Sequence, residues 1–362
     1  LKSAVLHWLY VMFNFTFLFE GLLIYGSFRP LVSESMSLPQ LAVLTSMMVS
    51  TTWILIGFTD SVTECFKNGL FVDYLKTFLE YREKIPEDYD GADPGKTIES
   101  IEFRNVSFSY KDIPVISNLN MKMEGGKTYA LVGHNGAGKS TIIKLLLRFY
   151  DPTEGEVLLN GRNIKEFNLQ KYRSLFATAF QDNRMFSMTV ADNVILGEEI
   201  AEEEREETVA QALKLSGVYE KVMSLPKGMD TTLTREFDDE GAVLSGGEFQ
   251  KIVVARAFAR RSPVKVFDEP SSALDPIAEY RLFDNILKSC RENTLLFISH
   301  RLSSVQNADY VFLLEHGCVR EEGSHRELMK KKGLYADMYT KQAQNYLADR
   351  SCEFKKEEGI WA

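Results

Sequence analysis

Residues 133–141 read Gly-His-Asn-Gly-Ala-Gly-Lys-Ser-Thr. Glycines at 133, 136 and 138 let backbone N–H groups close around phosphate oxygens without interference from Cβ atoms. Lys139 is then placed to reach the β- and γ-phosphates of a nucleotide, and the Ser140 hydroxyl to ligate Mg²⁺. Downstream, the short run Val264-Lys265-Val266-Phe267 ends in Asp268-Glu269. A carboxylate at the C-terminal end of a strand is where α/β folds place ligand-binding groups. Asp268 suits the holding of Mg²⁺ through water, and Glu269 suits a general base that polarises an attacking water. Taken alone, an acidic pair also reads as an ordinary strand-to-loop turn; the phosphate loop upstream tips the reading toward chemistry.

These groups need particular elements to hold them. Lys127–Val132 (KTYALV) is apolar enough for a buried strand, and the run after Thr141 (IIKLLLRF) reads as a helix. Strand, glycine loop and helix in that order are the context that the pattern GxxxxGK[ST] requires. The helix N-terminus adds its partial positive charge to the anion site. Val264–Phe267 reads as a second strand, less purely apolar than usual because of Lys265. The predicted fold class is therefore an α/β P-loop NTPase.

At Leu244-Ser245-Gly246-Gly247-Glu248-Phe249-Gln250 the chain resembles the ATP-binding cassette (ABC) family. The resemblance spans about residues 99–340, with the family's motifs in their usual order. It implies an ABC-type nucleotide-binding domain with a helical subdomain, roughly Met188–Gly246, and ATP and Mg²⁺ as cofactors. Gly133, His134, Asn135, Gly136, Ala137, Gly138, Lys139, Ser140 and Thr141 would form the phosphate loop. Tyr110 resembles the aromatic that stacks on adenine. Gln181 resembles the glutamine that contacts Mg²⁺ beside Ser140 and Asp268. Asp275, in Ser272-Ala273-Leu274-Asp275, resembles part of the D-loop. His300 resembles the switch histidine that orients Glu269 and water. Ser245, Gly246 and Gly247 would close on the ATP held by a partner chain, presenting a hydroxyl, backbone N–H groups and a helix N-terminus to its γ-phosphate. The run Thr234–Gly241 (TREFDDEG) occupies the place of a loop that touches the membrane domain in exporters. It reads equally as a solvated charged loop, with Glu240 the one residue carried over.

The first hundred residues are of another kind. Ala4–Gly26 and Leu41–Phe58 are apolar stretches of the length that spans a bilayer core. Each could instead be a buried core helix, but no soluble core adjoins them. The connecting segment Ser27–Gln40 holds only Arg29, with Pro30 and Pro39 as turn residues; Lys67, Lys76, Arg82 and Lys84 follow the second stretch. That bias puts the connection outside and sends the second helix into the cytoplasm. From Leu41 to about Glu83 no proline intervenes, which predicts one helix of about 40 residues, roughly 60 Å long. Glu20, with Asn14 and His7, falls in the first stretch; an intramembrane acid is a functional candidate, unless it reaches water at the outer boundary. The layout resembles the last two of six transmembrane helices in an ABC exporter half-transporter, fused to its ATPase. The expected protein is thus a multi-pass protein of the cell membrane with a cytoplasmic ATPase. Its partners would be membrane lipid and a second half-transporter, in a homodimer or a heterodimer. Because the chain starts at Leu1 and shows two helices, an N-terminal part beyond it is expected, without which the chain would bind ATP but not transport. The expected boundaries are 1–84 for the partial transmembrane domain, 85–98 for a linker (IPEDYDGADPGK at its heart), 99–340 for the ATPase and 341–362 for a tail.

Composition narrows the alternatives. The 362 residues carry a net charge of −9 with no basic stripe, which argues against a nucleic-acid partner. Cys65, Cys290, Cys318 and Cys352 show neither CxxC nor metal spacing and suit a reducing cytoplasm. No cleavable signal sequence is evident. Importer ATPases usually lack fused membrane helices, and soluble ABC ATPases need coiled coils or tandem cassettes. Glu269 and His300 argue against a cassette that binds ATP without hydrolysing it.

Overall fold

The computed structural model describes residues 18, 21–22, 24–26, 30, 37–81, 85–86, 89–198, 200–237, 239–299, 302–342 and 344. The chain divides into two units, residues 1–84 and 85–362. In the first unit, helix α1 runs unbroken from Leu38 to Leu79, 42 residues. It begins earlier than the sequence suggests, because it absorbs Pro39 and Gln40. Proline costs nothing in a first turn, where its missing N–H has no partner to lose, and the Gln40 side chain accepts the Ser37 N–H at 3.0 Å. Within the helix, Thr45, Ser50 and Thr51 donate their hydroxyls back to the carbonyls four residues earlier, at 2.8–2.9 Å. Polar groups satisfied in this way do not need water. Trp53, Ile54 and Phe58 are exposed. Among the described residues this is the one helix long and apolar enough to cross a membrane. The first predicted span, with His7, Asn14 and Glu20, lies almost wholly outside the described residues.

The second unit is built on two sheets. The first is antiparallel, in the order β2-β1-β4-β5, from β1 (Ser100–Tyr110), β2 (Ile113–Glu124), β4 (Glu154–Leu159) and β5 (Arg162–Asn163). The second has the order β10-β9-β3-β8-β7-β6. Its members are β3 (Thr128–Gly133), β6 (Phe176–Ala179), β7 (Val264–Asp268), β8 (Thr294–Ile298), β9 (Tyr310–Glu315) and β10 (Cys318–Gly323). All its pairings are parallel except that of β9 with β10. Helix α2 (Lys139–Leu146) follows β3, and α3 (Leu169–Ser174) precedes β6. Three helices, α4 (Val190–Val194), α5 (Glu202–Ser216) and α6 (Tyr219–Met223), lead to α7 (Gly246–Ala259). After β7 comes α8 (Pro276–Ser289), followed by α9 (Leu302–Val305) and α10 (His325–Lys331); residues 334–342 are helical as well.

Strand periodicity explains the layering. On β3, Tyr129 and Leu131 face one core with Ile116, Leu119, Ile142 and Leu146, while Ala130 and Val132 face another with Val253, Phe267 and Phe297. Alternate residues of a fully buried strand must feed two cores, so its sequence is apolar throughout. Helix α2 therefore sits between the two sheets, with Ile142, Ile143, Leu145 and Leu146 wholly buried. Each such side chain stabilises the fold by roughly 1.5–3 kcal/mol. Helix α7 is shared. Val253, Val254 and Ala257 pack under the parallel sheet, while Ile252, Ala255 and Ala259 join Val190, Val209 and Leu213 in a third, helical core.

Candidate functional site

Four parallel strands, β3, β8, β7 and β6, end on one edge, and the candidate residues follow those ends. After β3, Gly133 has φ 150°, and a Cβ there would lie 2.4 Å from the Leu314 carbonyl oxygen, so only glycine fits against β9. Gly136 meets nothing within 4 Å but has φ 79°, a backbone conformation that L side chains rarely adopt. His134, Asn135 and Gly136 are exposed, Ala137 and Gly138 buried. The first turn of α2 carries Lys139, Ser140 and Thr141, and no side chain caps this helix. Its free N–H groups are left for an anion.

Lys139 is buried, and its Nζ donates to the carbonyls of Gly133 at 2.8 Å and His134 at 3.0 Å. Burial lowers its pKa, opposed by the charges of Glu269 and Asp268. Asp268 ends β7 opposite Ile298 of β8. It is buried, and burial raises its pKa against the opposing hydrogen bond from Ser140. Its Oδ1 has no partner. A buried carboxylate oxygen left unsatisfied beside a serine hydroxyl is a donor set that suits a hard divalent cation. Glu269 follows with φ 52°, left-handed backbone for a non-glycine residue. Gln181 is exposed two residues beyond Ala179, whose register partner on β7 is Phe267. Glu269 likewise lies two residues beyond Phe267. A cavity of about 550 Å³ opens beside the loop, lined in part by Gly133, His134, Asn135, Ser299 and Lys341. Ser299 follows β8; His300, its neighbour, lies outside the described residues.

The other candidates stand elsewhere. Tyr110 ends β1, its ring edge-on to Phe108 at 4.9 Å and Tyr150 at 5.2 Å between centroids. Asp275 caps α8, accepting the N–H groups of Ile277 at 3.0 Å and Ala278 at 2.9 Å. Ser245 caps α7 in a reciprocal box: the Glu248 carboxylate accepts the Ser245 N–H at 2.8 Å, and Ser245 Oγ accepts the Glu248 N–H at 3.4 Å. Ser245 and Gly246 are exposed, and Gly247 is half-buried. In the run Thr234–Gly241, Arg235 donates to the Gly241 carbonyl at 3.1 Å, and Phe237 is 88% exposed.

Three further side chains have contacts that the sequence does not show. Gln250 bonds the backbone of Glu269, nineteen residues away in the chain. Arg256 donates to the Asn193 carbonyl at 2.7 Å and the Arg184 carbonyl at 3.1 Å, tying α7 to the segment after Gln181. Lys265, mid-strand on β7, donates to the Ala257 carbonyl at 2.8 Å and to the Arg260 carbonyl, gathering the open carbonyls at the C-terminus of α7. The only sequence signal for it was a charge inside an apolar strand.

A glycine loop between a buried parallel strand and an uncapped helix, with an unsatisfied carboxylate at the next-but-one strand end, defines a phosphate-loop NTPase. Within that class, residues 116–272 match the ABC transporter family, and the chain carries that family's nucleotide-binding domain behind a helical N-terminal segment. A protein of Staphylococcus aureus strain NCTC 8325 that bears the name multidrug export ATP-binding/permease protein is 38% identical over 264 residues, 71% of this chain and 44% of the relative. A protein of the same name from the bovine strain RF122 of S. aureus matches with the same identity and coverage. The structure of a bacterial Atm1-family ABC exporter with ATP bound matches with a TM-score of 0.70 at 28% identity, over 85% of this chain and 53% of that one. The chain thus spans about half the length of the relatives it matches.

Proposed function

We propose that this chain is part of an ATP-driven membrane exporter, with residues 1–84 in a multi-pass membrane domain, 85–98 a linker, 99–340 the cytoplasmic ATPase and 341–362 a tail. The observation that carries the reading is the convergence at the strand ends of Lys139, the unpartnered Asp268 oxygen and Glu269. Gly133 to Thr141 cradle the phosphates of ATP, and the Lys139 ammonium exchanges the Gly133 and His134 carbonyls for β- and γ-phosphate oxygens. Tyr110 takes the adenine face. Glu269 accepts the proton of the water that attacks the γ-phosphorus, and ADP leaves in line. His300 orients that water by its resemblance to the switch histidine. Ser140 and Gln181, with Asp268 through water, suit Mg²⁺, which when bound neutralises phosphate charge.

Ser245, Gly246 and Gly247 act on the nucleotide of a second half-transporter. Their helix starts at the surface with its own cap complete. ATP between two such domains stabilises the closed pair, and hydrolysis lets it open, alternating the access of a membrane cavity. Asp275 holds the loop between the two by capping α8.

The test is ATP turnover by the purified 362-residue chain in lipid nanodiscs beside Glu269→Gln. Turnover in the parent with a loss of about 100-fold or more in the variant, at unchanged ATP binding, supports the reading in a homodimer. ATP binding without turnover in the parent points to a heterodimer and a search for the co-purifying half. Full turnover in Glu269→Gln sinks the assignment of the base.

A further inference from the structure

Gln250 lies in α7, five residues past Ser245, and its amide leaves the helix for the loop that follows β7. Nε2 donates to the Glu269 carbonyl at 2.8 Å and to Ser272 Oγ at 2.9 Å, while Oε1 accepts the Ala273 N–H at 2.8 Å. On the preceding turn, Gly247 brings α7 against the same loop: a Cβ there would lie 3.1 Å from the Ala273 carbonyl oxygen and 3.3 Å from Leu274 Cδ2. Glu269 meanwhile holds a left-handed backbone, which persists in a non-glycine residue only when its surroundings over-determine it. Those surroundings can be named. The Glu269 N–H donates to the Ile298 carbonyl at 3.1 Å, and its own carbonyl takes Gln250 and, at 3.4 Å, the Ser272 N–H. Pro270 next in sequence disfavours right-handed helical backbone at Glu269.

We propose that Gln250 is a positioning residue: its amide locks Glu269 in the left-handed conformation and fastens it to the helix that begins at Ser245. The proposal rests on the reading of Glu269 as the base. It adds a physical link between two sites that one chain cannot fill with one nucleotide. A phosphate drawn against Ser245 loads the first turns of α7, and Gln250 carries that load to residues 269–273. Thus engagement of the partner's nucleotide bears on the chain's own base. The amide is suited to this because it donates twice and accepts once. Glutamate lacks the donors, leucine lacks all three bonds, and asparagine is a methylene short.

The test compares the full chain in lipid nanodiscs with Gln250→Leu, Gln250→Glu and Glu269→Gln. Steady-state ATP turnover is read with hydrogen–deuterium exchange over residues 268–275 and 127–146. In Gln250→Leu, kcat is expected to fall by about 10- to 100-fold with KM within about twofold, the pattern of a misplaced group rather than lost binding. Exchange over 268–275 rises while 127–146 keeps its protection. Exchange needs no turnover, so it reads the clamp even in a chain that hydrolyses nothing alone. If Gln250→Leu fails to fold, seen as lost protection over 127–146, the near-isosteric Gln250→Glu carries the test with the same expected direction. Parent-like kcat in the folded variants, or unchanged exchange over 268–275, overturns the proposal. Turnover that survives in Glu269→Gln overturns the base and the proposal together. An inactive Glu269→Gln beside a fully active Gln250→Leu overturns the clamp alone.

Discussion

The N-termini of α2 and α7, the two assigned to phosphate in the proposed function, are built in opposite ways. At α2 the cap is Gly138, with φ 101° and no side-chain bond, and the first-turn lysine is buried against two carbonyls. At α7 the cap is Ser245, satisfied by Glu248 and exposed to solvent. An uncapped, enclosed terminus is incomplete until a ligand fills it. A capped, exposed terminus is stable as it stands and can only add to a ligand that something else already holds. Under the proposed function the same macrodipole would serve a binding site in one place and a closing surface in the other. The C-terminal ends, by contrast, are treated alike. Tyr172 and Arg173 donate to the carbonyls of Leu146, Leu147 and Arg148 behind α2, and Lys265 does this work behind α7.

Lys139→Met is the hardest blow to the first member of the pair. Losing a buried cation's bonds to phosphate costs roughly 3 kcal/mol, which is a weakening of ATP binding by about 100-fold or more, measured by titration with a fluorescent ATP analogue. Binding within about threefold of the parent would mean that α2 is no more a ligand site than α7. Ser245→Arg attacks the second member. Turnover is expected to drop by about 100-fold, with ATP affinity of the variant chain within about twofold of the parent. Affinity lost in step with turnover would show that Ser245 acts on its own chain's nucleotide, and the contrast would collapse.

Lys265→Met leaves the nucleotide site untouched and reports on the shared C-terminal device. Burial lowers the Lys265 pKa from 10.5 to about 8. With the folded value below the unfolded one, the unfolded chain holds the extra proton between about pH 8 and 10.5, so this residue makes stability rise with pH across that window. The stabilisation is complete above the unfolded value and is lost as pH falls through the folded value. Thermal unfolding of parent and variant at pH 7 and pH 10 checks this: the parent should gain on the variant at the higher pH, by an amount bounded by roughly 3 kcal/mol. A constant difference would mean that Lys265 keeps its ordinary pKa and is not desolvated.

The α2 terminus was legible in sequence because everything it needs is contiguous: strand, glycines, lysine and helix fall within residues 127–146. Asp268 and Glu269 were legible as a pair at a strand end, although their meaning came from the loop upstream. The long helix from Leu38 also announced itself, apart from its start, since proline at a first turn and proline in a connection look the same in one dimension. The connections of α7 were not legible. Gln250, Arg256 and Lys265 each answer a backbone carbonyl that becomes a neighbour only after folding, and a carbonyl leaves no mark in the sequence. For the same reason Asp275 could be placed in its motif while its bonds to Ile277 and Ala278 could not be seen.

The left-handed backbone at Glu269 has a genetic corollary. The residue that such a conformation favours is glycine, and every glutamate codon lies one nucleotide from a glycine codon. The cheapest accessible change at this position therefore calms the main chain while deleting the carboxylate. A lineage that ceased to need turnover would have little to hold it at Glu269, and drift toward a relaxed, silent cassette would be mutationally downhill.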